Sequence, residues 1–210
     1  MLKIALILSL LSTPALALDL ATFEAQNQGI KSWSADFVQK TFVELVGQEL
    51  EKSGQIQAKK PGAFFINYPD KTYRYNGKTL WLEQHASKSV LKFKNPGEWI
   101  SKEALDFLSG LYKASGIFIE ADKETAKQFF EEYDNPKLSH IALSPIHPDS
   151  QIVHLNLGIN EGTGLIEEVY LWTKSGNKTH YVFKNIVKNP KLDTAAFSLK
   201  KKKGYKIITK

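Results

Sequence analysis

The chain has 210 residues, no cysteine, 28 basic against 22 acidic side chains and a formal net charge of +6. That length fits one domain with a sizeable core, and a 42% hydrophobic content excludes a disordered chain. The lack of cysteine excludes disulfides, thiol nucleophiles, sulfur-ligated zinc and a lipid-modified N-terminal cysteine. The positive balance suits an anionic membrane surface or an acidic partner. Nearly all the bases are lysines scattered among acids without a recognition motif, so nucleic acid is not an expected partner.

Met1 to Ala17 reads as a cleavable secretory leader, with Lys3 ahead of the apolar run Ile4 to Leu11 and the small-x-small site Ala15-Leu16-Ala17. The expected mature domain is 18–210. Asp19 to Gly29 is a short predicted helix: Asp19 caps it, Leu20, Phe23 and Ile30 form its apolar side, and Gly29 ends it. Ser32 to Phe42 alternates with period two and predicts a strand, which Leu50 to Lys60 follows back after the turn at Gly47.

Ser53 to Leu82 is several short strands cut by turns. Pro61-Gly62, Pro69-Asp70 and Asn76-Gly77 are the turn signals, and Phe64, Ile66 and Tyr68 fall on one strand face. Lys88 to Lys94 predicts another strand. Ser101 to Tyr112 predicts the most apolar helix, because Leu105, Leu108 and Leu111 recur at helical spacing. Ala121 to Tyr133 reads equally as a charged amphipathic helix or as a long loop. Leu138 to Leu143, Gln151 to Ile159, Leu165 to Thr173 and Thr179 to Val187 are four further strands, and such close, even spacing argues for a meander sheet or barrel.

No catalytic signature emerges. Gly77-Lys78-Thr79 lacks the earlier glycine of a phosphate loop and precedes a strand, so it reads as a hairpin turn. His85, His140, His147, His154 and His180 have no metal-ligand spacing and are expected as surface or strand residues. Glu167 and Glu168 are neighbours on a strand, so they point to opposite faces and do not form a carboxylate pair. Binding without catalysis is the better reading. A secreted hydrolase is the alternative from another class.

Several motifs together resemble the periplasmic outer-membrane lipoprotein carrier family, LolA. These are Ser34, Phe37 and Gln39; the basic pair Lys59-Lys60 before Pro61; Phe64; Gly77 with Leu80 and Trp81; and the closing Phe183 to Ile208. The resemblance implies a mainly β fold with short α-helices: an open, half-closed antiparallel β-barrel with a helical lid over an apolar cavity. It implies a periplasmic carrier without a cofactor, and a monomer, with an envelope sensor or regulatory lipid-binding domain of the same fold as its alternative. Its partners would be acylated lipoproteins, an inner-membrane lipoprotein-releasing transporter and an outer-membrane acceptor. The implied cavity lining is Trp33, Phe37, Ile56, Phe64, Ile66, Leu80, Trp81, Leu105, Leu108 and Leu111. Lys60 stands where the family usually has an arginine that latches the lid, and Ile66 stands where a tryptophan is common.

Overall fold

The computed structural model describes residues 18–96, 114–130, 135–200 and 202–210. The expected leader Met1 to Ala17 and lid helix Ser101 to Tyr112, with Leu105, Leu108 and Leu111, lie outside the described residues.

A short helix α1 (Leu20–Gln26) opens the described chain, its start capped by Asp19, whose carboxylate accepts the Thr22 amide at 2.7 Å. Leu20 and Phe23 are its buried side. It ends earlier than expected, at Asn27 instead of Gly29: the Asn27 side chain turns back and donates to the Phe23 carbonyl at 2.9 Å. A buried asparagine that satisfies a terminal carbonyl stops a helix without a left-handed glycine.

The strands follow as β1 (Ser32–Val43), β2 (Gln48–Lys59), β3 (Ala63–Asn67), β4 (Lys71–Tyr75), β5 (Leu80–Gln84), β6 (Ser89–Phe93) and β7 (Phe118–Glu120). Helix α2 (Lys123–Phe130) settles the open reading of the charged stretch in favour of a helix. Asp122 starts it by accepting the amides of Glu124 and Thr125, at 3.1 and 2.8 Å. Then come β8 (Ser139–Pro145), β9 (Ile152–Asn160), β10 (Leu165–Thr173), β11 (Lys178–Lys188) and β12 (Lys206–Thr209).

These strands form one open, curved sheet in the order β12-β6-β5-β4-β3-β2-β1-β11-β10-β9-β8-β7. The sheet is two meanders, β1 to β6 and β7 to β11, sewn together where β1 pairs with β11. The expected open half-barrel is therefore present, with one difference. β12 runs parallel to β6, Ile207 opposite Val90, so the sheet is not antiparallel throughout. The chain reaches that edge by crossing the outside of the sheet. Lys202 and Arg74 both pair with the Glu83 carboxylate, and the Arg74 guanidinium also donates to the Ala196 carbonyl. Glu83 is fully buried there, and these partners hold its carboxyl below the usual range although burial alone would raise it.

Strand parity gives the sheet two distinct faces. Phe37, Ile56, Phe64, Leu80, Phe93, Leu157 and Val169 belong to one contiguous apolar core on the concave side. Turn chemistry holds the register. In the β4–β5 turn, Gly77 has φ +88° and the Asn76 side chain accepts the amides of Lys78 and Thr79. On β2, Gly54 faces Phe37, and the Phe37 ring lies across it. A Cβ at position 54 would stand 2.7 Å from Phe37 Cζ and against the Asn67 carbonyl oxygen.

Gly54→Ala is expected to destabilise the fold by about 1–3 kcal/mol, the range for overpacking a fitted site. An unchanged urea midpoint would show that the ring does not need this space.

Candidate functional site

The site grows from the alternation of β1, whose inward residues include Phe37, Gln39 and Thr41. Its two partners extend the same face: Ile56 on β2, and Tyr181 and Phe183 on β11. Beyond them β10 adds Val169 and Leu171, and β9 adds Leu155, again two residues apart along each strand. The apolar and aromatic ones among these, with Ile66, Tyr68, Phe118 and Ile152, enclose a cavity of about 140 Å³, whereas Gln39 and Thr41 line the space beside it. Its aromatic wall is packed edge to face: Phe37 lies 5.2 Å from Tyr68 and 6.5 Å from Phe183, at 78° and 66°.

A wider trough of about 410 Å³ opens beside it, floored by Phe64 and Ile66 and rimmed by Lys52 and Lys71. Ile66, Tyr68 and Tyr181 line both spaces and form the wall between them. Along this wall the Tyr68 hydroxyl donates to Gln39 Oε1 at 2.6 Å, and Gln39 Nε2 donates to Thr41 Oγ1 at 3.0 Å. Thr41 in turn shares a hydrogen bond with Thr179 at 3.1 Å. Burial pushes the Tyr181 phenol up to about 12 and that of Tyr68 higher still, so both stay protonated at neutral pH. The Lys71 ammonium sits 5.3 Å from the centres of both the Tyr68 and Tyr73 rings.

Of the residues expected to line the cavity, Phe37, Ile56 and Ile66 do so, while Phe64 lines the trough. Trp33 and Leu80 are buried in the concave core without reaching either wall; Trp33 packs edge-on against Phe183 at 5.5 Å. Trp81 is a correction. It pairs with Arg74 on β4, and both alternate out of phase with Leu80, Leu82, Tyr73 and Tyr75, so Trp81 belongs to the convex face. Lys60 opens the β2–β3 turn, half-buried, with its amide donating to the Lys31 carbonyl at 2.9 Å. The lid it was expected to hold lies outside the described residues. Sequence reasoning missed the half of the cavity supplied by β7 and β9 to β11. The i, i+2 apolar pairs Val169/Leu171 and Tyr181/Phe183 were its available signal.

A second cluster lies on the convex side of the C-terminal meander. Glu168, nearly buried, accepts Asn135 Nδ2 at 2.7 Å and the Tyr170 hydroxyl, and meets His180 Nε2 at 3.1 Å. The His180 and Tyr170 rings stack at 4.0 Å. Burial would raise the Glu168 carboxyl, but the hydrogen bonds from His180, Tyr170 and Asn135 prevail and bring it down to about 2. Beside it, His154 is almost fully buried, and desolvation lowers it to about 4. Among the described residues no group of three or more His, Cys, Asp or Glu side chains is placed to hold a metal ion. Among the same residues, no helix is long and apolar enough to cross a membrane.

Fold and cavity together define an open-sheet protein with an apolar binding concavity. Residues 28–200 match the model of the family described as outer membrane lipoprotein carrier protein LolA, and the chain belongs to that family. No curated protein matches it in sequence. Among solved structures, it is similar to an uncharacterized conserved protein from Thermus thermophilus. The two are 8% identical, the match covers 91% of this chain and 97% of that one, and the TM-score is 0.52. A DUF1329 family protein from Desulfovibrio piger is 13% identical over 85% of this chain and 94% of its own, with a TM-score of 0.50. A LolA superfamily protein from Nitrosomonas europaea is 10% identical over 87% and 99%, with a TM-score of 0.45. At these identities the first two likenesses speak to fold alone.

The depressed Glu168 carboxyl sets a pH dependence. Its stabilisation is fully present above the ordinary glutamate value of 4.5 and is lost as pH falls from there through about 2. Urea midpoints are expected to drop across that window. Glu168→Gln should be less stable at pH 7, by on the order of 3 kcal/mol, and should show a flatter acid limb. Parallel acid limbs in the two proteins would show that Glu168 does not carry this dependence.

Proposed function

We propose that this protein holds the acyl chains of lipid-modified proteins in its concave cavity and carries them through the periplasm. It would take them from an inner-membrane releasing transporter to an outer-membrane acceptor, without chemical turnover. The observation that carries this reading is the cavity wall itself. Phe37, Ile56, Ile66, Leu171 and Phe183 place apolar surface where an open sheet leaves it reachable. Each methylene that leaves water contributes about 0.8 kcal/mol, so a few turns of acyl chain supply the driving force. Family membership supports the same reading.

The cavity of about 140 Å³ is small beside the roughly 300–1,000 Å³ of ordinary ligand pockets. Loading therefore joins cavity and trough. The side chains that separate them, Ile66, Tyr68 and Tyr181, stand in a single row and are the ones that swing aside. A carrier must also release its cargo, and an interior that is only partly open when empty limits how tightly chains are held.

Ile66→Glu places an unpartnered charge in this apolar wall. It is expected to weaken binding of a fluorescent fatty-acyl probe and of a triacylated lipopeptide at least about tenfold. Leu171→Trp should weaken both by filling the space without adding charge. Trp81→Phe, on the opposite face, should leave both titrations unchanged. If both the Ile66 and the Leu171 variants bind like the wild type, the concave cavity is not the acyl site.

A further inference from the structure

Among the described residues, the largely apolar concave face carries a neutral polar seam beside the cavity, in the trough that Lys52 and Lys71 rim. Tyr68, Gln39, Thr41 and Thr179 form a continuous hydrogen-bonded row across β11 and β1 to the end of β3, with Tyr181 beside it. The seam forms part of the wall of the trough and, through Tyr68 and Tyr181, of the cavity. A hydrocarbon chain has no use for these groups. Each of these groups has a partner in the row and keeps donor or acceptor capacity beyond it, which a polar part of a ligand can use.

We propose that the Tyr68–Gln39–Tyr181 seam is a subsite for the ester carbonyls that join acyl chains to a glyceryl unit. It would hold the root of the ligand at the trough while the chains fill the cavity. The proposal rests on the reading that the cavity takes acyl chains. Its chemistry follows from what each side offers. An ester carbonyl only accepts hydrogen bonds. A glutamine amide has two N–H donors, and among the described residues Gln39 spends one, on Thr41. The Tyr68 hydroxyl now donates within the row, to Gln39 Oε1, and Tyr68 also lines the trough, where the same hydroxyl can donate to a ligand instead. The Lys71 ammonium, against the Tyr68 and Tyr73 rings, keeps the rim positive where the carbonyl dipoles end. Both phenols keep their protons throughout the neutral range, so the donors persist. The same carbonyls occur in a lipid-modified protein and in a free glycerophospholipid, and the seam alone does not separate these sources.

The test compares an S-diacylglyceryl cysteinyl peptide with its dialkyl-ether counterpart of equal chain length, and a diacyl glycerophospholipid with its ether analogue. Ether linkage removes the carbonyls and keeps the chains. The quantity read is the ratio of ester to ether affinity, by displacement of a fluorescent acyl probe from the full-length mature protein. Two neutral hydrogen bonds predict a ratio of about tenfold, or ~1.4 kcal/mol, for the wild type. The ratio should fall toward one in Tyr68→Phe/Tyr181→Phe and in Gln39→Leu, whatever their absolute affinities. A ratio of one in the wild type, or an undiminished ratio in both variants, overturns the seam. An ester preference seen only with the glycerophospholipid, the peptide pair being unbound, upholds the seam and overturns the lipoprotein-carrier reading. Failure of the wild type to bind either pair overturns both.

Discussion

Everything in this fold passes through β1. It pairs with β2 of its own meander on one edge and with β11 of the other meander on the other, over most of its 12 residues. Its alternation therefore sets the inward face of the whole sheet. A slip of one residue against β11 would replace Phe183 and Tyr181 with Val182 and Lys184 on the concave side and dissolve the aromatic wall. The register is pinned at a bulge between Ser34 and Asp36. There the Asp36 carboxylate accepts Asn185 Nδ2 at 2.7 Å and Gln55 Nε2 at 3.0 Å, binding all three strands at one point. The cavity is thus a consequence of pairing between segments about 150 residues apart, and local propensity alone does not create it.

That explains which parts of the molecule were legible in the sequence. Period-two alternation marked the strands, and the turn residues at Gly47, Pro61-Gly62, Pro69-Asp70 and Asn76-Gly77 marked the hairpins of the first meander. The Phe64 and Ile66 face was readable for the same reason. Trp81 was not placed correctly, because a half-covered outer face looks like an inner one when the covering chain comes from residues 190 to 206. Glu83 and Glu168 were invisible as buried carboxylates, since each is buried by partners far along the chain: Lys202 for the first, Asn135 and His180 for the second. The β9 to β11 wall was visible as apolar alternation, but its meeting with Phe37 was not.

The two faces of the sheet handle polarity in opposite ways. On the convex face, buried carboxylates are matched by several donors each, so they are depressed in pKa and fixed in place. On the concave face, the polar row is neutral and made of hydroxyls and one amide, groups that exchange partners at little cost. The second chemistry tolerates exchange of partners, because a buried ion that lost its partner would be far more unfavourable than a rotated hydroxyl. Rigidity and exchange are thereby assigned to opposite sides of the same strands.

An open sheet has two free margins, and each carries a hazard for a protein with a greasy interior. Unpaired amides and carbonyls along a margin invite another copy to add its own strand. Here one margin is only the three residues of β7, too short to template much. The other would have been β6, but β12 lies along it, brings Lys206 and leads into Lys210, and presents a cationic fringe to any approaching copy. The lysine-rich tail thus acts as a selvedge: it finishes the cloth so that it does not unravel into, or weave itself onto, its neighbours. When two copies bring their β12 margins together, like charge meets like charge.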